Sequence, residues 1–235
     1  MKQLRSECRP IRRDDLQLFE SIPGVIAIAR DQNLRAIWCT QSYFKMAFED
    51  ESVGEMSGSE LGAMITGTAV QEREAVLREV LQSGKVRNLI YLAADRRVLA
   101  TVFPLDEHSF GHRGIMGVIT DATCDAMIIG SERKIELLPI PHLEALRVLT
   151  TRELEVLHYV AQGKSTNEIA AKLVRSSKTI EKQINSIHSK LKTHSRAELV
   201  RFGTERGIQS FSSGEWSAIV ESAKVVRRED APEHP

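Results

Sequence analysis

Lys178, Lys182, Asn185 and Ser189 stand at intervals of four, three and four residues, so on a helix they share one face. Side chains of these types donate to phosphate oxygens and base edges. Ile180, Ile184, Ile187 and Leu191 repeat the same intervals two residues on and fall on the opposite stripe. A helix built this way can pack its aliphatic side inward and present donors outward. The chemistry this predicts is recognition of a nucleic acid. A solvated helix in a small bundle carries the same pattern, so the flanking residues must separate the two readings.

Those flanking residues specify a run of short helices. Thr150 with Glu153, Ser165 with Glu168 and Ser195 with Glu198 each form an S/T-x-x-E capping box, in which hydroxyl and carboxylate satisfy free backbone N–H groups. Ser176 is a further N-cap without the matching Glu. Gly163 stands where a helix end favours a left-handed residue. The signals predict helices over 151–161, 166–173, 177–191 and 196–206. The first would bury Leu154, Leu157, Val160 and Ala161, and the second Ile169, Ala170 and Leu173. Val174-Arg175-Ser176 makes the turn into the third. A short helix, a three-residue turn and a polar-faced helix form a helix-turn-helix.

Charge favours the same reading. Residues 141–210 hold 12 Lys/Arg against 7 Asp/Glu, whereas 1–140 hold 17 against 20 and 211–235 hold 3 against 5, although the whole chain is neutral. Positive charge gathered in one segment suits a polyanionic partner.

Other chemistry is thinly represented. His108 and His112, beside Asp106 and Glu107, are metal-ligand types. Gly111 among them and the want of a second cluster favour a polar hairpin loop. An enzyme would rest on that pair alone, since the sequence has no P-loop, nucleophile elbow or paired catalytic carboxylates. No cofactor is specified. Asp14-Asp15 superficially suggests the acidic pair of a receiver domain, but it follows Arg12-Arg13 rather than an apolar strand. Cys8, Cys39 and Cys124 are odd in number and widely spaced, which suits a reducing compartment. No uncharged apolar run reaches the ~18 residues of a membrane span, and the first residues lack the apolar core of a signal peptide. The expectation is a cytoplasmic protein with no membrane partner.

Residues 16–125 read as mixed α and β. Val25–Ala29 is apolar, Asp31-Gln32-Asn33 a turn, and Leu34–Trp38 alternates, which together predict a hairpin. A helix over 69–83 stops at Gly84. Strands follow at 86–93, 98–104 and 114–120, with a polar turn at 94–97 and a longer loop at 106–113. Residues 126–147, with Pro139 and Pro141, read as a linker, partly helical before the prolines. Residues 211–235 read as a tail with a short helix over 215–224 and disorder beyond about 225.

Two resemblances add to this. Leu149–Leu157, Gly163–Ala170, Lys178-Thr179-Ile180-Glu181, Lys190-Leu191 and Ser195-Arg196 resemble LuxR-type (GerE-type) DNA-binding domains in order and spacing. The resemblance implies a four-helix domain over 148–210 whose third helix enters the major groove of double-stranded DNA. It implies base contacts from Glu181, Lys182 and Asn185. It implies phosphate contacts from Ser165, Thr166, Lys178, Thr179 and Lys190, and dimer contacts from the fourth helix through Leu199 and Val200. The sequence departs from the family's usual Gly–aliphatic turn at Val174-Arg175, and from a frequent Gly at Lys192. Residues 16–125, ending in Gly114–Thr123, are similar to a PAS domain. That similarity implies an antiparallel sheet with room for a small-molecule ligand, for which Trp38 and Phe103 are candidate lining residues.

The reading is thus an α+β chain: a flanking segment at 1–15, a PAS-like antiparallel sheet domain with helices, a linker, an all-α helix-turn-helix domain and a tail. As a whole it suits a homodimeric transcription regulator with a sensing domain. The alternative, motivated by the altered turn, is a sensory or scaffold protein whose helix-turn-helix meets other proteins instead of DNA.

Overall fold

The computed structural model describes residues 10–23, 25–43, 68–121 and 134–229. Alternating apolar residues build its first half. β1 (Ile26–Asp31) turns back into β2 (Ala36–Cys39), and the Asp31 carboxylate ties the turn by accepting from the N–H groups of Asn33 at 2.8 Å and Arg35 at 2.9 Å. α1 (Leu16–Ser21) precedes this hairpin. α2 (Thr68–Ser83) leads into β3 (Arg87–Ala93), β4 (Arg96–Pro104) and β5 (Gly114–Asp121). These three pair consecutively and antiparallel, and β1 joins β5, giving the order β2-β1-β5-β4-β3. The predicted hairpin, helix and three strands all form. The predicted loop before β5 instead holds one helical turn, α3 (Glu107–Phe110), capped by the Asp106 side chain.

Strand periodicity of two gives the sheet two apolar faces. Leu89, Ala100, Val102 and Ile115 meet Val76 and Val80 of α2 on one face. Ala27, Ala29 and Met116 meet Leu16, Leu105 and Phe110 on the other. Trp38 lies opposite Ala29 in the β1–β2 ladder, and Phe103 opposite Met116 in β4–β5. Residues directly opposite share a face, so both aromatics lie on the α1 side. A cavity of about 250 Å³ opens on the α2 side, among Ile28, Leu77, Leu89, Val102 and Ile115. Trp38 and Phe103 are therefore not its lining, contrary to the expectation from sequence.

The expected linker is also different in kind. β6 (Ile135–Leu138) pairs parallel with β3, from Asn88↔Ile135 to Tyr91↔Leu138, and completes a six-stranded sheet. Four residues ended by a proline are too few to show periodicity, and the pairing partner is distant in sequence. Glu136 anchors the new edge by an ion pair with Arg87. The chain stays on the sheet afterwards, with the His142 N–H donating to the Leu92 carbonyl at 3.0 Å. The part of the expected linker at 126–133 lies outside the described residues.

The helical half follows. α4 (Thr151–Ala161), α5 (Thr166–Leu173), α6 (Ser177–Leu191) and α7 (Arg196–Glu205) start at N-caps Thr150, Ser165, Ser176 and Ser195. α8 (Ser213–Glu229) is longer than the predicted 215–224, and it runs past the point where disorder was expected. Its apolar side packs on the core, with Trp216, Ile219, Val220 and Ala223 all buried. The Trp216 indole donates to the Leu154 carbonyl at 3.0 Å and stacks on His158 with ring centroids 5.3 Å apart. Gly203 of α7 lies so close to α4 that an added Cβ would stand 2.4 Å from the Ala161 methyl. Ile90 and Leu92 of the sheet belong to the same apolar cluster as Leu143, Leu146 and the helices. Sheet and helices thus share one core. Among the described residues no helix is long and apolar enough to cross a membrane.

Candidate nucleic-acid interface

The presentation of α6 begins at its entry. α5 ends at Val174, whose φ of 53° and ψ of 55° are left-handed. That bend returns the Arg175 N–H to the Ala170 carbonyl at 2.9 Å, closing the helix as a glycine cap does. Ser176 then caps α6 by accepting the Thr179 N–H at 3.1 Å. The Ser177 hydroxyl donates to Asn167 of α5 at 2.7 Å, which pins the angle between the two helices. The departure at Val174-Arg175 therefore leaves the turn intact. Val174 is 84% exposed and Arg175 is exposed beside it, so no core-facing aliphatic is used at this point.

α6 divides by face as predicted. Ile180 and Ile187 are fully buried and Ile184 nearly so, while Lys178, Thr179, Glu181, Lys182, Asn185 and Ser189 are exposed. Two candidate phosphate groups are partly engaged within the chain. The Ser165 hydroxyl accepts the Glu168 N–H and donates to the Glu168 carboxylate at 2.8 Å. Thr166, beside it, is half-buried. Lys190 donates to Glu153 at 2.7 Å.

Glu153 is the residue whose weight the sequence understated. Besides its capping-box bond to the Thr150 N–H at 2.6 Å, it accepts from the Ser186 hydroxyl at 2.6 Å and from Lys190. Burial alone would raise its carboxyl, but the bonds from Lys190, Ser186 and Thr150 prevail and hold it at about 2. One buried carboxylate thus fixes the recognition helix to α4. The signal was present: Ser186 and Lys190 are four apart on α6 and so share a face.

Leu199 requires correction. It is fully buried in the core of its own chain, with no accessible surface, so it holds α7 in place and is not free to meet a second copy. Val200 is half-buried against the same cluster.

The sheet cavity is the second candidate site. Arg30, Tyr43, Arg73, Tyr91, Arg96, His142 and Glu144 join its apolar lining. Arg73 is 5% exposed, donates to the Leu92 carbonyl at 3.2 Å, and lies with its guanidinium carbon 4.5 Å from the centre of the Tyr91 ring. None of these three arginines was singled out from the sequence, because a lone Arg on an amphipathic helix or strand normally reads as surface.

Residues 147–202 match the family model described as bacterial regulatory proteins, luxR family. This segment is a LuxR-type helix-turn-helix domain. The chain is 44% identical over 59 residues to the response regulator Rre1 of Synechocystis sp., covering 25% of this chain and 26% of that protein. It is 38% identical over 68 residues to the oxygen regulatory protein NreC of Staphylococcus carnosus, covering 29% and 31%. The chain therefore spans less than a third of the curated relatives it matches. Among solved structures, the VqmA dimer of Vibrio cholerae is similar at 21% identity and a TM-score of 0.42, over 87% of this chain and 92% of that one. LuxR-type domains bind DNA in transcription regulators, and the exposed polar face of α6 belongs to such a domain.

Proposed function

We propose that this chain is a sequence-specific transcription regulator that binds double-stranded DNA as a homodimer, with the PAS-like sheet domain receiving a small-molecule signal. The observation that carries the reading is the division of α6: its isoleucines are buried while Lys178, Glu181, Lys182 and Asn185 all face solvent. Inserted in a major groove, this face would read base edges. Lys182 would donate to guanine O6 and N7, Glu181 would accept from cytosine N4, and Asn185 would pair with adenine. Lys178, Thr179, Ser165 and Thr166 would contact phosphates, helped by the amides at the start of α5. Lys190 would add its remaining donors from the far end of α6. A dimer matches two half-sites related by the protein's own symmetry.

The scaffold alternative drew on the altered turn, and that turn keeps the geometry of a helix-turn-helix. Binding of the full chain to duplex fragments, titrated with salt, tests the proposal. Affinity should fall steeply and linearly with the logarithm of salt concentration, because each phosphate contact releases counterions. Flat salt dependence, or no mobility shift with any genomic fragment, would leave the scaffold reading standing.

A further inference from the structure

We infer that the cavity beneath α2 takes a small organic acid, its carboxylate held by Arg73 and its carbon skeleton lying on the apolar wall. The inference rests on the reading of the sheet domain as the sensing half. Arg73 is 5% exposed, yet among the described residues its Nε and Nη1 have no hydrogen-bond partner, and the neighbouring Glu72 carboxylate is engaged by the Ile140 N–H at 3.2 Å. A guanidinium so buried is costly unless an anion compensates it. Its planar fork matches a carboxylate with two parallel bonds. Stacking on Tyr91 at 4.5 Å holds that fork in orientation.

The rest of the cavity fits the same occupant. Arg30 and Arg96 also line it, and Glu144 is the one carboxylate among the described lining residues, so the lining carries more positive than negative charge. Leu77, Leu89, Val102, Ile115 and Leu138 supply the apolar wall. A volume of about 250 Å³ lies just below the ~300–1,000 Å³ of ordinary ligand pockets, which limits the occupant to a small molecule.

The test is a thermal-shift and calorimetry panel on the full chain. The probes are straight-chain, branched and aromatic monocarboxylic acids, each beside its uncharged primary amide. At least one acid should raise the melting temperature and bind ten-fold or more tightly than its amide. Arg73→Met should abolish that difference, and Arg73→Lys, which keeps the charge without the fork, should restore it in part. Should Arg73→Met fail to fold, the acid–amide comparison on the natural chain remains decisive. Amides binding as well as acids, or binding unchanged in Arg73→Met, would overturn the anion and leave the sensing role intact. If no probe shifts the protein, and denaturing the purified chain releases no small molecule detectable by mass spectrometry, both readings fall.

Discussion

The Asp95 carboxylate accepts the N–H of Leu146 at 3.0 Å, across the boundary between the sheet and the helical half. Its other oxygen accepts the Glu144 N–H at 3.0 Å. Asp95 and Ala94 form the two-residue tip of the β3–β4 hairpin, both with positive φ, as a type I′ turn demands. Beside them the Arg97 N–H donates to the Arg206 carbonyl at 2.8 Å, and the Arg97 guanidinium lies over the Phe211 ring. Because Ala93, Ala94 and Arg96 also line the cavity, the hairpin touches the cavity on one side and the start of the helical half on the other.

Asp95→Ala should therefore loosen the junction. The buried Leu146 N–H would lose its acceptor, at about 1–3 kcal/mol, and the part-buried Glu144 N–H would lose its own at a smaller cost. Thermal melts should show the loss, and hydrogen exchange should show deprotection centred on residues 144–146 while α6 stays protected. Uniform deprotection of both halves would mean that Asp95 has no special place between them.

Two lysines of α6 should separate by mechanism. Lys182→Ala should relax base preference at one position of the target, costing about 1–3 kcal/mol. Lys178→Ala should instead weaken binding to all sequences alike and reduce the salt slope by about 1. Competition binding against single-base variants of the site distinguishes the two.

Val174→Gly should stabilise the protein. A β-branched residue at φ 53° bears a left-handed cost of about 1–2 kcal/mol that glycine escapes; glycine's greater freedom when unfolded offsets part of it. The expected net gain is about 1 kcal/mol in chemical denaturation, with DNA affinity unchanged because the turn geometry is the same. A loss of stability would show that the Val174 side chain has a role its exposure conceals.

Acid should weaken the helical half in two stages. His158 is buried, with Nε2 donating to the Phe211 carbonyl at 2.9 Å, and burial lowers its imidazole below 6.5. The unfolded chain then takes up the proton first, so stability is complete above pH 6.5 and declines below it. Glu153 is held at about 2, from 4.5. Its share, up to about 3 kcal/mol, is present above pH 4.5 and lost as pH falls toward 2. Denaturation midpoints across this range should lose the lower stage in Glu153→Gln and the upper one in His158→Phe.

What the sequence disclosed was what depends on neighbours along the chain. The capping residues, the two stripes of α6 and the strands β3 to β5 follow from local spacing. What it concealed depends on partners far away. β6 is a strand only because β3 offers it an edge, and the apolar side of α8 is buried only because the helical half offers it a core. Trp38 and Phe103 were candidates for the cavity by type, but cross-strand register, which spacing alone does not fix, sends them to the other side. Likewise Leu199 lies on an amphipathic helix whose core contacts spacing alone could not separate from a dimer surface.

β6 has a further mechanical consequence. Because the chain rejoins the sheet before entering the DNA-binding helices, the helices are mounted on the sheet and do not hang from a tether. A swivel between the halves would have to break the His142–Leu92 and Leu146–Asp95 bonds and bare Ile90 and Leu92. Any shift of the sheet would then carry the helices with it, so the sheet acts as a mount that sets where α6 points.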